Sequence, residues 1–286
     1  MRIKDKSMYL WFLPPLALVL LIYLLPICNI VYSAFTGIVG EDRVFVGLQN
    51  FRNVLPGLPR TIGLTLVWTL GSILPAMLLG FIAALLFQRE YIGKKWMMSI
   101  CVLPYTIPLV IVATAWMLMY QPNFGLINVL LVQTGVLEKP VSFMSYENAM
   151  ISVIVARIWR AMPFAFISYY AALRAIPAEY YEAAEVDGAN HYQRLLSITI
   201  PQLVPITTTT LIVLTVWTFL VFDIIFTMTG GGPANATNII AVEIYKKTIY
   251  SGDTGAAGVL SLIAIIILLL LTLLYWKFFN KGGENT

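Results

Sequence analysis

Six runs of apolar residues, each long enough to cross a bilayer, leave this chain few folds to adopt. Residues 8–35 carry no charge at all, and a hydrocarbon layer about 30 Å thick takes roughly 20 residues of helix to span. That run exceeds the apolar core of a signal peptide, so it reads as a retained first span at about 10–32. Further runs at about 62–87, 97–119, 150–173, 203–227 and 256–278 meet the same test. In lipid every backbone N–H and C=O must be bonded inside the protein, which makes such runs helices. The expected fold is an all-α polytopic membrane protein with six transmembrane helices. Composition decides against a soluble domain, which would carry about a quarter charged residues; here 11% are charged and 59% hydrophobic.

The chain divides by this reading into residues 1–60, holding the amino-terminal tail, first span and outer loop, then 61–279, then a short tail at 280–286. Gly47 to Phe51 marks an interfacial turn and short helix, and Pro104 with Pro108 predicts a kinked third span. Residues 126–137 are apolar but too short to cross, so they are expected to lie flat on the outer surface. Thr229-Gly-Gly-Gly-Pro233 reads as a flexible outer turn.

Charge sets the orientation. With both termini inside, the inner loops hold Arg2, Lys4, Lys6, Arg89, Lys94, Lys95, Arg174, Arg194, Lys277 and Lys281. The outer side holds fewer basic residues, namely Arg43, Arg52, Arg60, Lys139, Lys246 and Lys247. The excess inside predicts cytoplasmic termini. These basic flanks account for the net charge of +4 without any role for nucleic acid. Cys28 and Cys101 lie in apolar runs and read as small buried hydrophobes, and the single histidine, His191, as a surface residue.

Between the fourth and fifth spans lies a polar insert, residues 176–201. Pro177 suits the first turn of a short helix, Glu179 and Glu182 follow where acids favour the helix dipole, and Gly188 ends it. Ala183 and Ala184 give that helix a smooth side which another surface can approach closely. Asn190 can cap a second helix that Pro201 is expected to stop. A charged helix–turn–helix between two spans has the form of a docking element.

This insert resembles the cytoplasmic signature of binding-protein-dependent ABC importer permeases. The pattern is Glu182-Ala183-Ala184, Gly188, then Ile198-Thr199-Ile200-Pro201, with isoleucine at 200 in place of leucine. Phe222-Asp223 through Pro233, Gly47 to Phe51, Trp159 with Pro163-Phe164, and Ile176-Pro177 are similar to the sugar-importer branch, in particular its maltose and glycerol-phosphate first-permease type. The resemblance implies a type I ABC importer transmembrane domain in the cytoplasmic (inner) membrane. It also implies a heterodimer with a second permease, two ATPase subunits gripping the docking loops, and an extracytoplasmic solute-binding protein. Glu182, Ala183, Ala184, Asp187 and Gly188 would then pass force to the spans. ATP and Mg would be bound by the partner ATPase and no cofactor by this chain, which has no G-x-x-x-x-G-K-[ST] sequence of its own.

Arg157 and Arg160 sit inside the fourth span, where charged residues are costly and face protein or a water-filled cavity. They either line a substrate path, or snorkel outward or pair structurally with Asp223. Alignment with the maltose-type permease implies a path through Arg157, Arg160, Ala161 and Phe164, then Leu214, Thr218 and Val221. Arg157, Leu214 and Val221 depart from the smaller polar residues of that type, so the cargo is a different sugar, neutral or anionic, or the pocket sits mainly in the partner. A non-sugar solute is the alternative within the same class. A secondary carrier or membrane enzyme would need paired broken helices or a catalytic cluster, and neither is visible.

Overall fold

The computed structural model describes residues 6–39 and 42–280. Arg2, Lys4, Glu41 and Lys281, with the rest of the carboxy-terminal tail, lie outside the described residues. The chain forms two compact units, one running to Pro59 and including Glu243–Ile266, the other comprising Arg60–Val242 and the residues after Ile266.

In the first unit, α1 (Lys6–Phe35) is followed by an antiparallel hairpin of β1 (Thr36–Val39) and β2 (Asp42–Phe45), then α2 (Gln49–Val54). Asn50 fixes the junction: its side-chain amide donates to the carbonyls of Ala34 and Thr36 at 3.0 and 2.8 Å. Within this unit the start of α12 (Thr254–Asn280) crosses α1 closely, and a Cβ on Gly258 would lie 2.8 Å from the Ala34 nitrogen. Only 6% of the apolar span of α1 is buried.

The second unit is built on α3 (Leu58–Leu86), α7 (Ala149–Ala175) and α10 (Ile200–Phe219). Ile73, Ala76, Ala165, Phe166, Leu203 and Leu214 of these helices form one buried cluster. Trp68, Val112, Val153, Ala156, Ile224 and Ile239 form another, which brings in α5 (Leu109–Met119) and α11 (Asp223–Thr229). Small residues let backbones approach: a Cβ on Gly80 would fall 2.7 Å from both the Ala165 Cβ and the Phe166 nitrogen. Such close packing is how helices associate where no hydrophobic effect drives them together.

Among the described residues five helices are long and apolar enough to cross a membrane, and a bent pair makes a sixth if it counts as one span. That pair corrects the expected kink. The stretch expected to be one kinked third span is two helices, α4 (Lys94–Thr106) and α5, set at 101°. Pro108 has no N–H to continue the ladder and holds Ile107 extended at φ −81°, ψ 132°, so the helix stops where a kink was expected. Beyond it, α6 (Leu126–Gln133) follows the turn at Gln121–Gly125.

Three further expectations fail. Pro201 does not stop a helix, because α9 (His191–Arg194) runs through a π turn at Leu195–Thr199 into α10. There the Ile200 N–H reaches back five residues to the Leu195 carbonyl. This wider turn leaves room for the proline ring where a regular turn would set a carbonyl against it. The fifth span also ends at Phe219 rather than near 227; residues 220–222 break it, and α11 begins anew at Asp223. Nor is the glycine-rich turn loose. Thr229 and Thr237 share a hydroxyl bond of 2.6 Å, Thr237 donates to the Gly232 carbonyl at 2.9 Å, and Thr237 is fully buried.

Candidate cargo cleft and docking helix

The docking insert folds as two short helices with a defined corner. The first, α8 (Ala178–Val186), has no buried residue, and Glu182 and Ala183 are fully in reach of a partner, with Ala184 partly so. Gly188 closes it at φ +80°, with its own N–H on the Glu185 carbonyl and the Ala189 N–H on the Ala184 carbonyl. That doubled bond pattern satisfies two end carbonyls and needs a left-handed residue between them. Asn190 then caps α9 in a reciprocal box with Gln193, at 2.9 and 2.8 Å. Arg194 braces the corner, bonding Glu185 at 3.1 Å and the His191 ring at 2.8 Å. Tyr181 ties α8 to the π turn through Thr199 at 3.0 Å. Asn190→Ala is expected to cost about 1 kcal/mol locally, measured as roughly fivefold faster hydrogen exchange at the Gln193 amide. In the neighbouring charged loop Lys94 donates to Glu90 at 2.7 Å, and this bond holds the Glu90 carboxyl below the usual carboxylate range.

The second feature is an open cleft of about 540 Å³ among α4, α5, α7 and α10 and the segment that follows α10. Arg157, Arg160, Ala161, Phe164, Leu214 and Val221 line it. Thr218 stands behind them, fully buried, and accepts from Arg157 Nε at 3.3 Å and Nη2 at 2.8 Å. The Thr218 carbonyl in turn accepts from the Trp68 indole at 2.9 Å, which fixes the end of α10. Arg160 gives its Nε to the Ile107 carbonyl at 3.2 Å, a group freed by the break at Pro108, and its guanidinium lies 4.6 Å over the Tyr105 ring. Neither arginine pairs with Asp223, which is exposed, begins α11 and lines the same cleft.

Sequence reasoning missed Tyr105 and Trp217. Their rings flank Phe164 at 6.0 and 5.0 Å and complete an aromatic wall. Trp217 has a sequence signal, lying beside Thr218 and one turn from Leu214. Tyr105 has none; it lies near the end of α4, which meets α5 at 101°.

A bundle of apolar spans that holds an open cleft and extends a braced, exposed helix between two of its crossings defines a membrane permease. The chain belongs to the family of binding-protein-dependent transport system inner membrane components, which it matches over residues 76–279. It is 33% identical over 280 residues to the trehalose/maltose transport system permease protein MalF of Thermococcus litoralis, covering 96% of this chain and 94% of that one. Against the sn-glycerol-3-phosphate transport system permease protein UgpA of Agrobacterium fabrum it is 29% identical over 278 residues, again covering 96% and 94%. In fold it matches a chain of the crystal structure of a bacterial ABC transporter involved in the import of the acidic polysaccharide alginate, with a TM-score of 0.83 at 24% identity, covering 97% of this chain and 96% of that one.

Proposed function

We propose that the chain is a permease subunit of an ATP-driven ABC importer that moves a sugar or sugar derivative across the cytoplasmic membrane. The observation that carries this reading is the cleft: guanidinium donors stand beside the Tyr105, Phe164 and Trp217 rings. Donors for hydroxyls next to aromatic faces for the sugar's C–H surfaces are what a sugar ring requires. The named cargoes of the Thermococcus and Agrobacterium relatives support it. They differ in charge, so likeness alone leaves the charge of this cargo open.

In this reading ATP and Mg sit on two partner ATPases, and a second permease and an extracytoplasmic binding protein complete the assembly. Residues 179–201 form the coupling element, in which Glu182, Ala183, Ala184, Asp187 and Gly188 meet the ATPase and pass its motion to α7 and α10. Both termini then lie in the cytoplasm. Cysteine labelling tests the orientation: Asn190→Cys is expected to react only from the cytoplasmic side and Ala234→Cys only from outside, both positions being exposed. Reaction of both from one side would refute the assigned crossing between them. The transport reading is tested by ATP-dependent uptake of labelled sugars in cells with and without this gene, and equal uptake of all of them would refute it.

A further inference from the structure

We propose that the cargo is a sugar bearing a carboxylate, held in the cleft by the guanidinium of Arg157. The proposal rests on the sugar-permease reading and adds the charge of the cargo.

Arg157 is 5% exposed, yet its protein partner is one neutral atom, the Thr218 hydroxyl oxygen, which takes both Nε and Nη2. A guanidinium carries five N–H donors, and here the Nη1 end makes no bond to the protein among the described residues. Among the described residues no carboxylate pairs with it, and the Asp223 carboxyl on the same cleft leaves it unpaired. An unneutralised buried charge is strongly unfavourable, and arginine cannot shed its proton to escape. A neutral glutamine could bond Thr218 without that cost. What arginine adds is a planar fork that matches a carboxylate with two parallel hydrogen bonds.

Arg160 is in a different position. It is half-buried, its Nε is engaged by the Ile107 carbonyl and its plane lies over Tyr105, so its charge already faces an aromatic ring, whereas the charge of Arg157 is buried against the neutral Thr218 hydroxyl. Two arginines against Asp223 leave one net positive charge on the cleft lining. That balance suits a singly charged carboxylate better than a doubly charged phosphate. The Phe164 and Trp217 rings, 5.0 Å apart, offer the adjacent apolar face for the sugar ring.

The experiment uses the assembled transporter with its binding protein in proteoliposomes and measures ATP-dependent uptake of matched probes: glucose with glucuronate, galactose with galacturonate, and glucose 6-phosphate. A uronate is expected to be taken up at least about tenfold faster than its neutral match. Arg157→Gln is expected to lower uronate uptake by about 10- to 100-fold, the range for a lost charge-assisted bond, while the ATPases still co-purify. Arg157→Lys, which keeps the charge and loses the fork, is expected to fall between them, and is the variant to read if Arg157→Gln fails to assemble. Preference for the neutral sugars or for glucose 6-phosphate overturns the carboxylate and leaves the sugar permease standing. Uronate uptake indifferent to both substitutions does the same to the role of Arg157. Uptake of none of the probes, with an active ATPase, overturns the sugar reading itself.

Discussion

Gly188→Val is expected to leave the protein in the membrane at normal abundance and to reduce uptake to background. Gly188 holds φ +80° at the end of α8, and nothing lies within 4 Å of where a Cβ would go. The effect is therefore conformational rather than steric crowding: a β-branched residue resists the left-handed region, and keeping it there costs roughly 1–2 kcal/mol. The chain would relieve this by abandoning the paired bonds from Gly188 and Ala189, which swings α8 out of line with α9. Gly188→Asn is the control, since asparagine tolerates this region, and it should retain most of the uptake. Glu182→Lys should match the valine variant by another route, because Glu182 is exposed and its reversal alters only the charge shown to a partner. Near-normal uptake in both Gly188→Val and Glu182→Lys cells would remove the coupling role from this helix.

Gly80→Leu is expected to abolish folded protein rather than transport alone. The Gly80 Cβ would meet the Phe166 backbone nitrogen at 2.7 Å, and backbone in the middle of α7 cannot step aside as a side chain can. Forcing α3 and α7 apart opens the cluster around Ile73, Ala165 and Phe166, at a cost of about 3 kcal/mol or more. Gly63→Leu on the same helix, where no atom lies within 4 Å, should be tolerated. The comparison is read as the monodisperse fraction of detergent-extracted protein by fluorescence-detected gel filtration. Equal recovery of the two variants would show that the α3–α7 approach does not control folding.

What the sequence made legible was local. Uncharged runs require helices in lipid whatever surrounds them, and Gly188 with Asn190 marks the docking corner because both act through their own backbone neighbours. Proline proved ambiguous. Pro75, Pro163 and Pro205 lie inside unbroken helices, Pro108 ends one, and Pro201 is accommodated by a π turn. Which outcome applies depends on packing partners that a single chain does not announce. The cleft was legible only as a set of positions. Arg157 and Thr218 were both placed on the substrate path through family likeness, but their bond to each other depends on the register between α7 and α10, which no local pattern encodes. The same holds for Tyr105, which lies near a bend that reads in sequence as an ordinary kink.

The unbroken path from α9 into α10 has a mechanical meaning. Helix α10 is 20 residues long, or about 30 Å at 1.5 Å per residue. Its foot rests on the π turn that Tyr181 tethers to α8, and its head carries Thr218, which anchors Arg157. It is a lever with the π turn at its foot. A tilt of about 10° there would carry the head sideways by about 5 Å over such a rod, more than a hydrogen bond can stretch. If α8 has the proposed coupling role, a shove on the corner would let go of the guanidinium at the far end of α10.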